Sequence, residues 1–110
     1  MSYDILTLSV FDKQVRKLAR KYPSIKADII RLAEELAENP VLGTSLGSNL
    51  YKVRLKVSSK RVGKSGGARV ITYVKIVEQT ITLSFIYDKA ARASISDGEL
   101  DDLLKLLEDQ

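Results

Sequence analysis

The sequence predicts an α+β fold of order β-α-α-β-β-β-α, with a mostly antiparallel sheet of about four strands and helices packed on one face. Two observations carry that reading. Apolar residues recur at helical spacing through two segments before Pro40, then switch to alternation from Leu50 through three consecutive segments. The chain returns to helical spacing after Ser96, behind a helix-start signature.

Each element has its own signal. Ile5 to Val10 is a β-branched and aliphatic run that reads as an opening strand. Phe11, Val15, Leu18 and Tyr22 then recur one turn apart, with Lys13, Arg16, Lys17 and Arg20 on the other face. Pro23 ends that helix, and Ser24 is placed to cap a second one with the apolar face Ile25, Ile29, Leu32, Ala33, Leu36. Asn39-Pro40 stops it, and Val41 to Asn49, with two glycines and two serines, reads as a loop. Tyr51, Val53, Leu55 and Val57 alternate with Lys52, Arg54 and Lys56, which predicts a strand with one buried and one cationic face. Lys60 to Gly67 reads as a flexible basic loop, Ala68 to Val77 as a strand, and Glu78-Gln79 as a tight turn. Thr80 to Tyr87 is apolar enough for a central strand. Ser96-Asp97-Gly98-Glu99 has capping-box spacing and opens a helix carrying Leu100, Leu103, Leu104 and Leu107.

Composition bounds the function. At 110 residues and 45% hydrophobic content the chain buries one core, so residues 1–110 read as a single domain. Cysteine and histidine are both absent, which removes thiolate and imidazole ligands and leaves acid–base chemistry to other groups. No metal or cofactor is implied. The N-terminus lacks a basic region followed by an apolar stretch, and no uncharged run is long enough to span a bilayer. The reading is a cytoplasmic protein with no membrane partner.

Charge is unevenly spread. From Asp97 onward there are six acids and one base, so the net +4 of the whole chain is a tail of −5 set against +9 elsewhere. Lys52 to Arg69 holds seven bases and no acid, a local field that attracts polyanions. Lys52, Arg54 and Lys56 share a strand face without a counter-acid, where like charges repel, and this suggests a face completed by an anion. A solubilising surface is the plain alternative. Arg69, Tyr73 and Lys75 on the next strand extend the patch and offer a ring for base stacking.

Gly63-Lys64-Ser65 is not a phosphate loop of the Walker type. The glycine required five positions earlier is Ser58, and a strand rather than a helix follows. The loop can still present backbone N–H groups and Lys64 to a backbone phosphate. Tyr87 reads either as a strand-end core tyrosine or as a hydroxyl facing the same surface, with Lys89 and Arg92 nearby. Glu78 and Asp88 are the only carboxylates between Tyr51 and Ile95, too few for a two-metal nuclease.

Tyr51-Lys-Val-Arg-Leu, Gly63-Lys-Ser-Gly-Gly-Ala-Arg-Val-Ile-Thr-Tyr73 and Ile81-Thr-Leu-Ser-Phe-Ile-Tyr-Asp-Lys89 resemble the RelE/HigB toxins of type II toxin–antitoxin systems, within the RelE/ParE superfamily. The resemblance covers nearly the whole chain. It implies a ribosome-dependent, metal-independent endoribonuclease that cuts mRNA in the ribosomal A site by attack of the 2′-hydroxyl on the adjacent phosphate. It implies an antitoxin partner, and contact with operator DNA only through the antitoxin complex. Carried over by position, Arg54, Arg69, Tyr87 and Lys89 are the catalytic candidates. Lys52, Lys56, Lys60, Lys64, Tyr73 and Arg92 are the RNA-binding ones. Lys89 and Arg92, around Ala90-Ala91, match only partly the basic pair of some relatives, and the histidine used by others is missing. A gyrase-poisoning toxin of the ParE branch and a non-catalytic RNA-binding module are the alternatives.

Overall fold

The computed structural model describes residues 2–109, and its order is β1 Asp4–Thr7, α1 Ser9–Lys21, α2 Ile25–Glu38, β2 Thr44–Gly47, β3 Leu50–Leu55, β4 Ala68–Lys75, β5 Thr80–Asp88 and α3 Asp97–Glu108. The strands form one sheet in the order β1-β5-β4-β3-β2. Only β1 runs parallel to its neighbour, β5; the other pairings are antiparallel. The α+β class therefore holds, with five strands rather than about four.

The helices divide between the two faces instead of sharing one. Phe11 and Val15 of α1 and Ile25, Leu32 and Leu36 of α2 bury against Val53, Leu55, Val70, Val74, Ile81, Leu83 and Ile86. Leu103 and Leu107 of α3 bury against Leu8, Leu50 and Ile71 on the opposite face. Alternation along the strands explains the split, because Val70 and Ile71 point to opposite sides. Both faces of β4 are buried, so a one-sided sheet would leave Ile71 in water. Each such side chain withdrawn from water stabilises the fold by about 1.5–3 kcal/mol.

Local differences from the sequence reading have identifiable causes. The first strand ends at Thr7 rather than Val10, because Phe11 and Val15 recruit Ser9 and Val10 into the first turn of a helix. Ser24 occupies the position before α2 but makes no cap bond, since its hydroxyl donates to Asp28 Oδ2 at 2.7 Å. Ser96 does cap α3, accepting from Glu99 N–H at 3.1 Å, while Glu99 Oε1 accepts from Ser96 N–H at 3.0 Å. The expected loop at 41–49 contains β2, which joins β3 through Ser48 and Asn49, both at positive φ (53° and 65°), the two-residue turn that matches strand twist. β4 ends at Lys75, leaving Ile76 and Val77 in a wider turn, 66% and 92% exposed. β5, read in the sequence as a central strand, does lie inside the sheet, between β1 and β4.

β1 pairs only with Thr80–Leu83 of β5. Beyond it the edge of β5 faces α1, where Gln14 Oε1 accepts from Ile86 N–H at 2.8 Å.

The end of β3 is closely packed. A Cβ on Gly67 would lie 2.1 Å from the Leu55 carbonyl oxygen, while one on Gly63 would meet nothing within 4 Å. Gly67→Ala should therefore lower unfolding free energy by more than about 2 kcal/mol. Gly63→Ala should leave it unchanged or raise it by up to about 1 kcal/mol by restricting the unfolded chain. Urea titrations of both variants check this.

Candidate nucleic-acid interface

Strand pairing sets Arg54, Arg69 and Tyr87 side by side: Arg54 is the register partner of Arg69, and Arg69 of Tyr87. Side chains of directly opposed residues on one face have Cβ atoms about 4.5–5.5 Å apart. The row lies on the face that α3 covers further along, next to Lys52, Ile71 and Phe85.

Arg69 is 7% exposed, and its guanidinium donates to the carbonyls of Lys64 (3.2 Å), Ala68 (3.1 Å) and Ser65 (3.0 Å). All three acceptors are neutral. No carboxylate pairs with Arg69 or with exposed Arg54 among the described residues. Two adjacent guanidiniums without a counter-acid repel each other unless an anion joins them. Tyr87 is 4% exposed, and its hydroxyl finds no hydrogen-bond partner. Burial raises its pKa, against the pull of Arg69 and Arg92, so at neutral pH it is a phenol that can donate.

The basic loop is anchored rather than flexible, with single 3₁₀ turns at Ser58–Lys60 and Lys64–Gly66. Its first turn hangs on buried Asp28, which accepts from Ser58 N–H (3.0 Å) and Ser58 Oγ (2.8 Å) and pairs with Arg31. Lys60, an RNA-binding candidate in the sequence, is not a free cation here. Its ammonium donates to Asp88 Oδ1 at 2.7 Å and Gly67 O at 3.2 Å, and lies 5.3 Å from the Tyr22 ring centroid. Asp88 also accepts from Tyr22 Oη at 2.6 Å and Ala90 N–H at 3.0 Å. Burial pushes the Asp28 and Asp88 carboxyls up, but the donors around each outweigh it and hold both below the ordinary value.

The remaining candidates scatter. Lys56 and Lys64 are exposed and Lys52 is half-buried, flanking the row. Lys89 donates from Nζ to Ala93 O at 3.0 Å, just past the strand end. Tyr73 does not join the row. It lies four residues from Arg69, about 13 Å along the strand, packed against the α3 cluster with Lys75 Nζ 6.0 Å from its ring centroid. Arg92 is held away from a free role by a two-point pair with Glu99 of α3, and it stacks 5.5 Å from the Tyr87 centroid. Hydrogen bonds from Arg92 and Ser96 lower Glu99 to about 2.

Asp28, Asp88 and Glu99 were not singled out as site residues in the sequence. The one available signal was scarcity: Asp88 stands almost alone among cations. Among the described residues no three His, Cys, Asp or Glu side chains come together as a metal site, and no helix is long and apolar enough to cross a membrane.

The fold is similar to that of a double mutant of the E. coli toxin RelE in the free state, with a TM-score of 0.65 and 17% identity over 96% of this chain and 97% of that one. No curated protein matches the chain. The family model described as "RelE toxin of RelE / RelB toxin-antitoxin system" matches residues 9–109. The chain belongs to the RelE toxin family of toxin–antitoxin systems, and that membership implies an antitoxin partner.

The loop anchors give a pH prediction. Both carboxyls are lowered in the folded state, so their contribution is whole above the unfolded value of about 3.9 and is lost as pH falls through the lower folded values. Melting temperature should drop as pH goes from about 5 to 3, and the Ser58–Gly67 amides should lose hydrogen-exchange protection first. Asp88→Asn should flatten that dependence.

Proposed function

We propose that this toxin is a ribosome-dependent, metal-independent endoribonuclease that cuts mRNA in the ribosomal A site and so stops translation. The observation that carries the reading is the row Arg54–Arg69–Tyr87: two guanidiniums without a carboxylate beside a buried hydroxyl without a partner. A phosphodiester placed on the row would satisfy all three.

In this reaction the 2′-oxygen of one nucleotide attacks the adjacent phosphorus and the bond to the 5′-oxygen breaks. The products are a 2′,3′-cyclic phosphate and a free 5′-hydroxyl. Charge grows on the non-bridging oxygens as the new bond forms, and fixed guanidiniums stabilise that state more than the ground state. Arg69 is preorganised by its three carbonyl partners, so little reorganisation accompanies the charge build-up. Tyr87, a phenol at neutral pH whose pKa burial raises further, donates a hydrogen bond to the phosphate. The proton-transfer roles, one group accepting from the 2′-hydroxyl and another donating to the 5′-oxygen, fall to lysines beside the row, Lys89 among them, while Lys52 binds the RNA strand. Lys56 and Lys64 meet flanking phosphates. The row itself contains no carboxylate, which supports a path without metal. The antitoxin neutralises the toxin by covering this face in the cytoplasm, and operator DNA is met only through that complex.

Induced expression with primer extension on a reporter message tests the reading. Wild type should arrest growth with new 5′ ends inside codons, and Arg69→Ala should lower cleavage by about 10²–10³-fold. Arrest with intact message and an induced DNA-damage response would overturn it. Tyr87→Phe removes a hydroxyl that has no partner in the free protein, so its melting temperature should equal or exceed that of wild type. Cleavage by the same variant should fall by at least about tenfold.

A further inference from the structure

A second cationic feature lies outside the row. Helix α1 carries five bases, Lys13, Arg16, Lys17, Arg20 and Lys21, and one acid, Asp12, in its first turn. Asp12 accepts from Thr7 Oγ1 at 3.1 Å, and none of the five bases pairs with a carboxylate among the described residues. At 100° per residue all five fall within one side of the helix. Lys13/Lys17, Arg16/Arg20 and Lys17/Lys21 are like-charge neighbours one turn apart, each working against the helix. The helix dipole accounts for Arg20 and Lys21 in the last turn, but not for the other three.

The stripe does not stand apart from the row. Between α1 and the open edge of β5 runs a cleft of about 370 Å³ whose lining includes Lys17, Lys21, Phe85, Tyr87 and Arg92, and also Asp88, whose carboxylate is already engaged by Lys60 and Tyr22. The cleft wall therefore includes Tyr87, the end of the row, and that residue's hydroxyl is one of two buried side-chain polar atoms without a partner among the described residues, the other being Thr72 Oγ1. Half-buried Phe85, the Arg92 guanidinium lying over its ring and over that of buried Tyr87, and two unpaired ammoniums along one cleft suit a single nucleic-acid strand, in which bases alternate with phosphates. The cationic side of α1 exposes no large apolar side chain of the kind that anchors a protein partner.

We infer that this cleft and the α1 stripe form a second subsite for single-stranded RNA, continuous with the row. A strand held at Arg54–Arg69–Tyr87 passes the open β5 edge, sets a base against Phe85 and the Arg92 guanidinium, and lays its next phosphates against Lys17 and Lys21. The inference rests on the RNA reading of the row, but its test requires no cleavage.

Anisotropy titrations of the intact protein with a labelled oligouridylate of about 15 nucleotides, over a series of salt concentrations, provide that test. Lys17→Gln/Lys21→Gln should weaken binding about tenfold at low salt. It should also reduce the slope of log K against log salt by about 1.4, two phosphates at about 0.7 each. Lys26→Gln/Lys105→Gln changes the net charge equally and should leave the slope within about 0.3 of wild type. Equal effects from the two pairs, or wild-type binding by the first, overturn the subsite. Unchanged RNA binding with weakened binding of poly-glutamate would assign the stripe to an acidic protein and also overturn it. Failure of the wild type to cut message would sink the ribonuclease proposal, whereas the slopes decide the subsite separately.

Discussion

The carboxylate of Asp88 is the interaction on which the rest of the site depends. It closes β5 and collects the Lys60 ammonium, the Tyr22 hydroxyl and the Ala90 N–H, tying the end of α1 and the basic loop to one point in the sheet. A buried ion pair contributes little net stability when whole, yet removing one partner leaves an uncompensated charge that costs about 3–5 kcal/mol. The pair therefore acts chiefly as a geometric constraint. With Lys60 fixed, the chain from Ser58 to Gly67 has one path across the end of β3. The carbonyls of Lys64 and Ser65 then fall where Arg69 can reach them.

That arrangement separates two kinds of cation. Lys60 and Arg92 each meet an acid and hold the structure: one pins the loop, the other ties the start of α3 to the sheet edge through Glu99. Among the described residues Arg54 and Arg69 meet none. The sheet face is divided accordingly, with Leu103 and Leu107 burying one part under the acidic helix while the cationic row keeps the other. The acidic tail visible in the sequence is thus attached to the same face as the row, with the Glu99 carboxylate spent on Arg92.

Much of the fold was legible in residue patterns. The change from 3.6 to 2 periodicity at Leu50 located the strands, and Ser96-Asp97-Gly98-Glu99 marked the start of α3 to the residue. Strand β2 was not legible, because Thr44–Gly47 has no alternation and is held by backbone pairing to β3. The placement of α3 was hidden for a related reason: its leucines show that it buries a face but not which side of the sheet receives it. Within the site, sequence listed the cations without sorting them, since the partner of Lys60 lies 28 residues away and becomes adjacent only when β5 pairs with β4.

The sequence by itself determined the α+β class, the positions of the helices and a cationic segment from Lys52 to Arg69, because periodicity and charge are local properties of the chain. Tertiary structure decided which of those cations are free. A charge's availability depends on whether an acid sits within a few ångströms, and that distance is set by strand register and loop path. Register alone placed Arg54, Arg69 and Tyr87 in one row, and burial left the Tyr87 hydroxyl unpartnered beside them.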